Sequence, residues 1–349
     1  MEYDIVLVTR NRPVVLPVSV PLMLSQSRPP RNFIVVDASD DHETVKTTLE
    51  PLCGTLRPGS FTVMRAEPGT ARQRNIGLEH ADSPVVVFPD DDSIWFPGVA
   101  ETLMRIYERD IDRSIGAVCA AEAREPPWGE MEPNPYKVTP GDRLKDWFQR
   151  HVRPRTVGIF PDPLYFHEKA LPAPAWLEAE NAVLQGPMAG FRMSFRTDLI
   201  RRTGFDESLG RYALSEDIEA SLGVLKTHLI ARAEDAKVFH YTYPSKRVSG
   251  RELGMMQILN RTYIVCKHHG PGSPARRKLR RFLLFRRSGY LTQSGGKYGR
   301  DKFFGSLIAL RYVDRIGRAG PEELHAAYRI SREECARRLG LNRSQEHEA

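Results

Sequence analysis

Three consecutive carboxylates, Asp90, Asp91 and Asp92, follow directly on the apolar run Val85-Val86-Val87-Phe88-Pro89. Like charges this close repel one another, so the cluster needs a compensating partner. A divalent cation is the obvious one. Hard oxygen ligands suit Mg²⁺ or Mn²⁺, and such an ion can carry a substrate diphosphate. An Asp at this place could also cap a following helix, but capping needs one carboxylate and not three. The preceding β-branched run reads as a strand buried on both faces of a parallel sheet. The carboxyl end of such a strand is where open α/β sheets bind ligands.

The elements around this strand form an alternating series. Asp4 to Thr9 reads as a first strand, Phe33 to Val36 as a second, Phe61 to Arg65 as a third and Pro84 to Phe88 as a fourth. Helical stretches separate them, at about 14–27, 43–52 and 72–80, and a further helix and strand follow at 98–109 and 115–120. Strands alternating with helices imply an α/β fold with a largely parallel sheet. A Pro-rich stretch with Trp128, Trp147 and Trp176 then spans 125–187 and reads as an insertion or functional loop. Helices are expected near 197–203 and 215–225 and a short strand at 237–241, with a helical region from about Arg251 onward.

Composition narrows the function classes. The chain has 349 residues, 41% of them hydrophobic, and a net charge of +7. No apolar run reaches the roughly 18 residues of a membrane span, and the first residues do not read as a signal peptide. The four cysteines lie far apart, so neither a zinc site nor a disulfide framework is expected, and a reducing cytoplasm fits. The positive charge is concentrated. Between Leu253 and Arg300 there are 11 Lys or Arg and no Asp or Glu, whereas acids outnumber bases in the rest of the chain. Nucleic acid is therefore not expected as a partner.

The ordered motifs resemble glycosyltransferase family 2, the inverting enzymes of the GT-A fold. Four pieces carry the resemblance, over about residues 3–250: IVLVTRNRP, IVVDASDD, GTARQRNIGL followed by VVVFPDDD, and GPMAGFRMSFRTDLIRRTGFDESLGRYALSEDIEASL. The resemblance implies a Rossmann-like GT-A domain at 1–250 with a mostly parallel central sheet flanked by helices. Its nucleotide-sugar half is 1–120 and its acceptor half 121–250, and a basic helical extension covers 251–349.

The resemblance also implies roles. Thr9, Arg12 and Asp37 would hold the base and ribose of a UDP-, GDP- or dTDP-linked sugar, although Asp37 also suits a turn. Arg72 and Arg74 would face phosphate or the acid cluster, and a solvated helix face is the other reading for one of them. In the DxD motif, Asp90 and Asp91 would lie on the nucleotide side, with Asp92 binding Mn²⁺ or Mg²⁺ and His240 as a further ligand or a packed residue. Asp217 would be the general base that deprotonates the acceptor hydroxyl, and Glu216 would position a hydroxyl. Ser215 followed by acids is also an ordinary helix start. Gly190 would let an acceptor sugar approach, and Trp176 or Trp128 would stack on it or simply pack.

The expected activity is transfer of one sugar to a glycan or lipid-linked glycan in cell-surface polysaccharide assembly. The segment Arg276 to Arg287 has 7 basic residues in 12, interleaved with Leu279, Phe282, Leu283 and Phe285. It suits an interfacial helix on an anionic membrane, with a solvated helix, a dimer surface or RNA binding as alternatives. A nucleotidyltransferase is the competing enzyme class, but its glycine-rich loop is absent from Thr9-Arg10-Asn11-Arg12-Pro13. An inactive adaptor scaffold is disfavoured by the two acid clusters.

Overall fold

A computed structural model of the chain describes residues 1–129, 162–167, 171–242, 248–292 and 296–341. Much of the Pro-rich stretch, including Trp147, lies outside the described residues. The first part alternates as the sequence predicts: β1 (Tyr3–Thr9), α1 (Leu16–Leu24), β2 (Asn32–Asp37), α2 (His42–Leu52), β3 (Phe61–Arg65), α3 (Thr70–Glu79) and β4 (Val85–Phe88). These four strands pair in parallel, in the order β3-β2-β1-β4.

Beyond β4 the sheet turns mixed. The next elements are β5 (Ser93–Trp95), α4 (Val99–Arg109), β6 (Ile115–Ala123), β7 (Ala182–Gln185), β8 (Met193–Arg196), α5 (Thr197–Thr203), α6 (Glu216–Leu225) and β9 (Leu229–His240). The sheet order is β3-β2-β1-β4-β8-β6-β9-β5, with β7 also paired to β9. Strand β8 runs antiparallel to β4 and β6, while β5 and β7 run antiparallel to β9. The parallel pairs of the mostly parallel sheet expected lie in its first half and between β6 and β9.

Strands β5, β7 and β8 escape a pattern reading for a physical reason. In β8 all four residues are buried, including Ser194 and Arg196. Ser194 Oγ donates to the Val118 carbonyl at 2.6 Å, and Arg196 pairs with the Asp110 carboxylate at 2.9 Å. These partners satisfy the polar groups inside the sheet, so no hydrophobic alternation is needed. Strand β9 runs for 12 residues, far beyond the 237–241 expected, because alanines fill its inward positions between Arg232, Glu234 and Lys237.

The described residues within 1–129 and 167–242 form the sheet domain, and those within 162–166 and 248–341 group as a second compact unit. Its helices are α7 (Gly250–His268), α8 (Pro274–Thr292), α9 (Lys297–Ala309), α10 (Val313–Arg318) and α11 (Leu324–Arg338). Arg261 on α7 binds Asp162 at 2.7 Å, which ties 162–166 into this unit. The basic helix α8 corrects one expectation. Leu279, Phe282 and Leu283 are 5%, 6% and 0% exposed, so the side chains that would enter a lipid interface already pack inside the protein. Arg276 is also occupied, donating to the carbonyls of Cys266 and His269, both at 2.6 Å, at the end of α7. Among the described residues no helix is long and apolar enough to cross a membrane.

Side chains on the two faces of the parallel strands go to different layers. Tyr3, Ile5 and Leu7 of β1 share a buried cluster with Leu16, Val20 and Met23 of α1 and with Leu103 and Tyr107 of α4. Val6, which alternates with them, faces α3 on the other side. Asp4 is fully buried at the base of β1. It accepts from the backbone N–H groups of Asn32, Asp82 and Ser83 at 2.7–3.0 Å, joining β1 to the segments before β2 and β4.

Helix α3 lies so close to the sheet that a Cβ built on Gly77 would stand 2.2 Å from Val6 Cγ1. This approach sets the height of Arg74, one turn earlier on the same helix. Gly77→Ala is expected to destabilise the domain by about 1–3 kcal/mol through overpacking. Adding Val6→Ala should recover part of that loss in urea unfolding. A single variant as stable as the unsubstituted protein would contradict the close packing.

Candidate active site

The carboxyl ends of β1, β2, β4, β6 and β9 converge on one edge of the sheet, and the acids sit there. Asp90 bridges to Val8 of β1, which fixes the start of the acid cluster directly beside the first strand. Its backbone N–H donates to Ser93 Oγ at 2.9 Å, and Ser93 Oγ donates to the Phe191 carbonyl at 2.7 Å. Strand β5 pairs with the end of β9, placing Ser93 opposite His240. The ligand atoms of Asp90, Asp92 and His240 consequently lie within 4.8 Å of one another. Two carboxylates and an imidazole form a donor set suited to Mn²⁺ or Mg²⁺.

The three consecutive acids have different surroundings. Asp91 turns inward, accepting from Thr9 Oγ1 at 2.8 Å and pairing with Arg12 at 2.5 Å. It thus holds the loop after β1. Arg12 also pairs with Asp92 at 2.7 Å, and His240 Nε2 lies 3.3 Å from the other oxygen of Asp92. Burial would raise the Asp92 pKa, but the bonds to His240 and Arg12 outweigh it and hold the carboxyl below its usual range. For His240 burial acts to lower the pKa, yet Asp92 and Asp90 raise it. The imidazole stacks on Phe191, with ring centroids 4.6 Å apart and planes at 8°.

Arg74 joins this cluster to the second acidic pair. It is 1% exposed and pairs with Asp90 at 2.8 Å and, through its other terminal nitrogen, with Glu216. Arg72, two residues earlier, is exposed, so only one of the two arginines faces the acids. Asp217 accepts from the backbone N–H groups of Gly190 and Ile218, both at 2.8 Å. Burial pushes up the pKa of Asp217 and of Glu216. A Cβ on Gly190 would meet Arg74 Nη2 at 3.1 Å and Asp217 Oδ2 at 3.6 Å. The missing side chain therefore leaves room for the guanidinium and the carboxylate. Ser215 makes no capping hydrogen bond and has φ of 74°, in the left-handed region. The helix therefore starts without a Ser215 cap, and the Asp217 carboxylate accepts from the Ile218 N–H of its first turn instead.

On the β1–β2 side, Asp37 is fully buried and accepts from the Ser39 N–H at 2.9 Å, with His42 Nδ1 at 2.7 Å from its other oxygen. Asn11, at φ 54°, exchanges hydrogen bonds with Asp40: its side-chain amide donates at 2.9 Å, and its carbonyl accepts from the Asp40 N–H at 2.9 Å. Asn tolerates this left-handed backbone. That pair and His42 were not singled out from the sequence, where the only signal is an Asn in a short loop before Arg12-Pro13. Trp176 packs against the buried core, whereas Trp128 is 51% exposed.

The comparisons with known proteins bear on the fold and the family. The sequence model of glycosyl transferase family 2 matches residues 4–160. No curated protein sequence matches the chain. Among solved structures, residues 1–349 of TarS from S. aureus in complex with UDP-GlcNAc superpose with a TM-score of 0.54 at 13% identity, over 97% of this chain and 92% of that one. The same TarS fragment without the sugar nucleotide gives 0.52 at 14% identity, with the same coverage. At such identities the likeness establishes the fold, GT-A, and the family match adds the activity class. The chain is a glycosyltransferase of the GT-A fold whose residues 4–160 match the sequence model of glycosyl transferase family 2.

Proposed function

We propose that this protein is an inverting, cation-dependent transferase that moves a sugar from a nucleoside diphosphate to a hydroxyl of a glycan or lipid-linked glycan. The observation that carries the reading is Arg74, whose two terminal nitrogens join Asp90 of the first acid cluster to Glu216 beside Asp217. A buried guanidinium shared in this way brings donor-side and acceptor-side acids to one place. The nucleoside would lie along the ends of β1 and β2, against Asp37 and the loop held by Thr9, Asn11 and Arg12. Asp90, Asp92 and His240 would hold Mn²⁺ or Mg²⁺, which when bound supplies Lewis-acid stabilisation of the departing diphosphate.

Asp217 is the base in this reading. Its carboxylate is oriented by two backbone N–H groups and keeps lone pairs for an acceptor hydroxyl. It takes the proton as the hydroxyl attacks the anomeric carbon from the face opposite the diphosphate. Arg74, itself paired with Asp90, keeps Glu216 in place beside it. Cell-surface polysaccharide assembly is the setting we assign, by resemblance of the ordered motifs. The exposed Arg280 and Arg281 of α8 support adsorption to anionic lipid by charge, without insertion of its apolar face.

Asp92→Ala should remove the Mn²⁺ dependence of nucleoside-diphosphate binding, read by thermal shift with and without the ion. Metal-dependent stabilisation equal to that of the unsubstituted protein would overturn the cation assignment. Asp217→Asn should leave nucleotide binding intact and lower transfer by roughly 10²–10⁴-fold. Because burial raises the Asp217 pKa and the base acts deprotonated, transfer should fall with decreasing pH through a pKa above the ordinary aspartate value. A pH–rate profile flat through that region would remove Asp217 from the role.

A further inference from the structure

The second unit holds a cavity of about 200 Å³ among residues of α7, α8 and α10. Arg276 and Arg280 of α8 and Asp314, Gly317 and Arg318 of α10 supply its polar lining. Cys266, Leu279 and Val313 complete it and are only 5–7% exposed. Burial pushes the Cys266 thiol pKa up, so this group stays neutral. Three guanidinium groups against one carboxylate leave the lining with a net charge of +2. The cavity is smaller than the roughly 300–1,000 Å³ of sites that take a whole organic ligand. It therefore suits one small charged group.

The three arginines differ. Arg276 is fixed: Nε and Nη2 donate to the carbonyls of His269 and Cys266, both at 2.6 Å, and Nη1 donates to the Gly317 carbonyl at 3.4 Å. Arg280 and Arg318 are exposed, and among the described residues neither pairs with a carboxylate. Asp314, one turn before Arg318 on α10, leaves both unpaired. Guanidinium groups gathered without a counter-charge favour an anion, and their planar forks match the oxygens of phosphate. A phosphate group carries about −1.5 to −2 charges at neutral pH, close to the opposite of what the lining presents. Asp314 narrows the choice. A carboxylate only accepts hydrogen bonds, so it repels a fully ionised anion such as sulfate but accepts from a phosphate that keeps a proton. Gly317 holds the space open, since a Cβ built there would meet nothing within 4 Å.

We propose that this cavity is a phosphate site, in which Arg280 and Arg318 pair with the oxygens of inorganic phosphate or a phosphomonoester and Asp314 accepts from its remaining O–H. None of these residues belongs to the sheet domain that carries the acids, and the site does not rest on the transferase reading above. The phosphate is either free in solution or the headgroup of a lipid, and the test separates the two sources. Calorimetry of the full chain, without added divalent cation, follows inorganic phosphate and sulfate. A second arm follows sedimentation with phosphatidylcholine vesicles that contain phosphatidic acid, or phosphatidylglycerol brought to the same surface charge. The variants are Arg280→Gln with Arg318→Gln, Asp314→Asn, and Gly317→Leu, which fills the cavity, keeps every charge and suits a helix better than glycine. Arg277→Gln with Arg281→Gln is the control, removing the same charge from exposed positions of α8 outside the lining.

Phosphate affinity should fall about tenfold or more in the Arg280 and Arg318 pair and in Gly317→Leu, and stay unchanged in the control. Phosphate should bind more tightly than sulfate, and Asp314→Asn should remove that difference. A preference for phosphatidic acid over phosphatidylglycerol that disappears in the same two cavity variants assigns the phosphate to a lipid headgroup. Calorimetric loss without any such preference assigns it to a soluble phosphate. An equal loss in the control reduces the effect to surface charge and overturns the site. So does an unsubstituted protein that neither binds phosphate nor prefers phosphatidic acid.

Discussion

Repulsion among carboxylates governs this domain. Asp90, Asp91, Asp92, Glu216 and Asp217 all stand near the carboxyl edge of one sheet, and each needs a counter-charge or a hydrogen-bond donor there. Arg74 serves Asp90 and Glu216, Arg12 serves Asp91 and Asp92, and backbone N–H groups serve Asp217. Buried guanidinium groups do this better than lysines would, because a planar fork can meet two carboxylates at once. The arrangement leaves Asp90, Asp92 and His240 grouped tightly enough to share a cation.

The fold around these charges is organised to hold two arginines still. Arg74 depends on α3 lying against Val6 through Gly77, and Arg12 depends on the loop that Asn11 ties to Asp40. Strand β8, inserted antiparallel between β4 and β6, delivers Phe191 and Gly190 from its leading edge. Phe191 then supports His240 by stacking, and the Gly190 N–H orients Asp217. One short strand therefore supports both His240 and Asp217.

Local pattern was enough for much of this. The alternation of β1 to β4 with helices is legible because each strand is a continuous apolar run between polar turns. The acid clusters are legible because three carboxylates after a buried strand have few physical explanations. Strands β5, β7 and β8 are not, since their polar residues are satisfied by partners distant in sequence, such as Asp110 for Arg196. Helix α8 misleads for a related reason. Its composition matches a lipid-facing helix, and only the packing of Leu279, Phe282 and Leu283 within its unit shows where the apolar face goes.

The sequence by itself determined the residue types, their order and the parallel half of the sheet, and through them the kind of chemistry. Periodicity and spacing are properties of neighbours along the chain, so one dimension is enough to read them. Tertiary structure alone decided where each acid is placed. It turned Asp91 inward onto Thr9 and Arg12, set Asp90 with Asp92 and His240, buried Arg74 and left Arg72 in solvent, and packed Trp176 while exposing Trp128. Those outcomes depend on partners as far as 150 positions away along the chain. Such charges find one another only when the sheet brings its strand ends together.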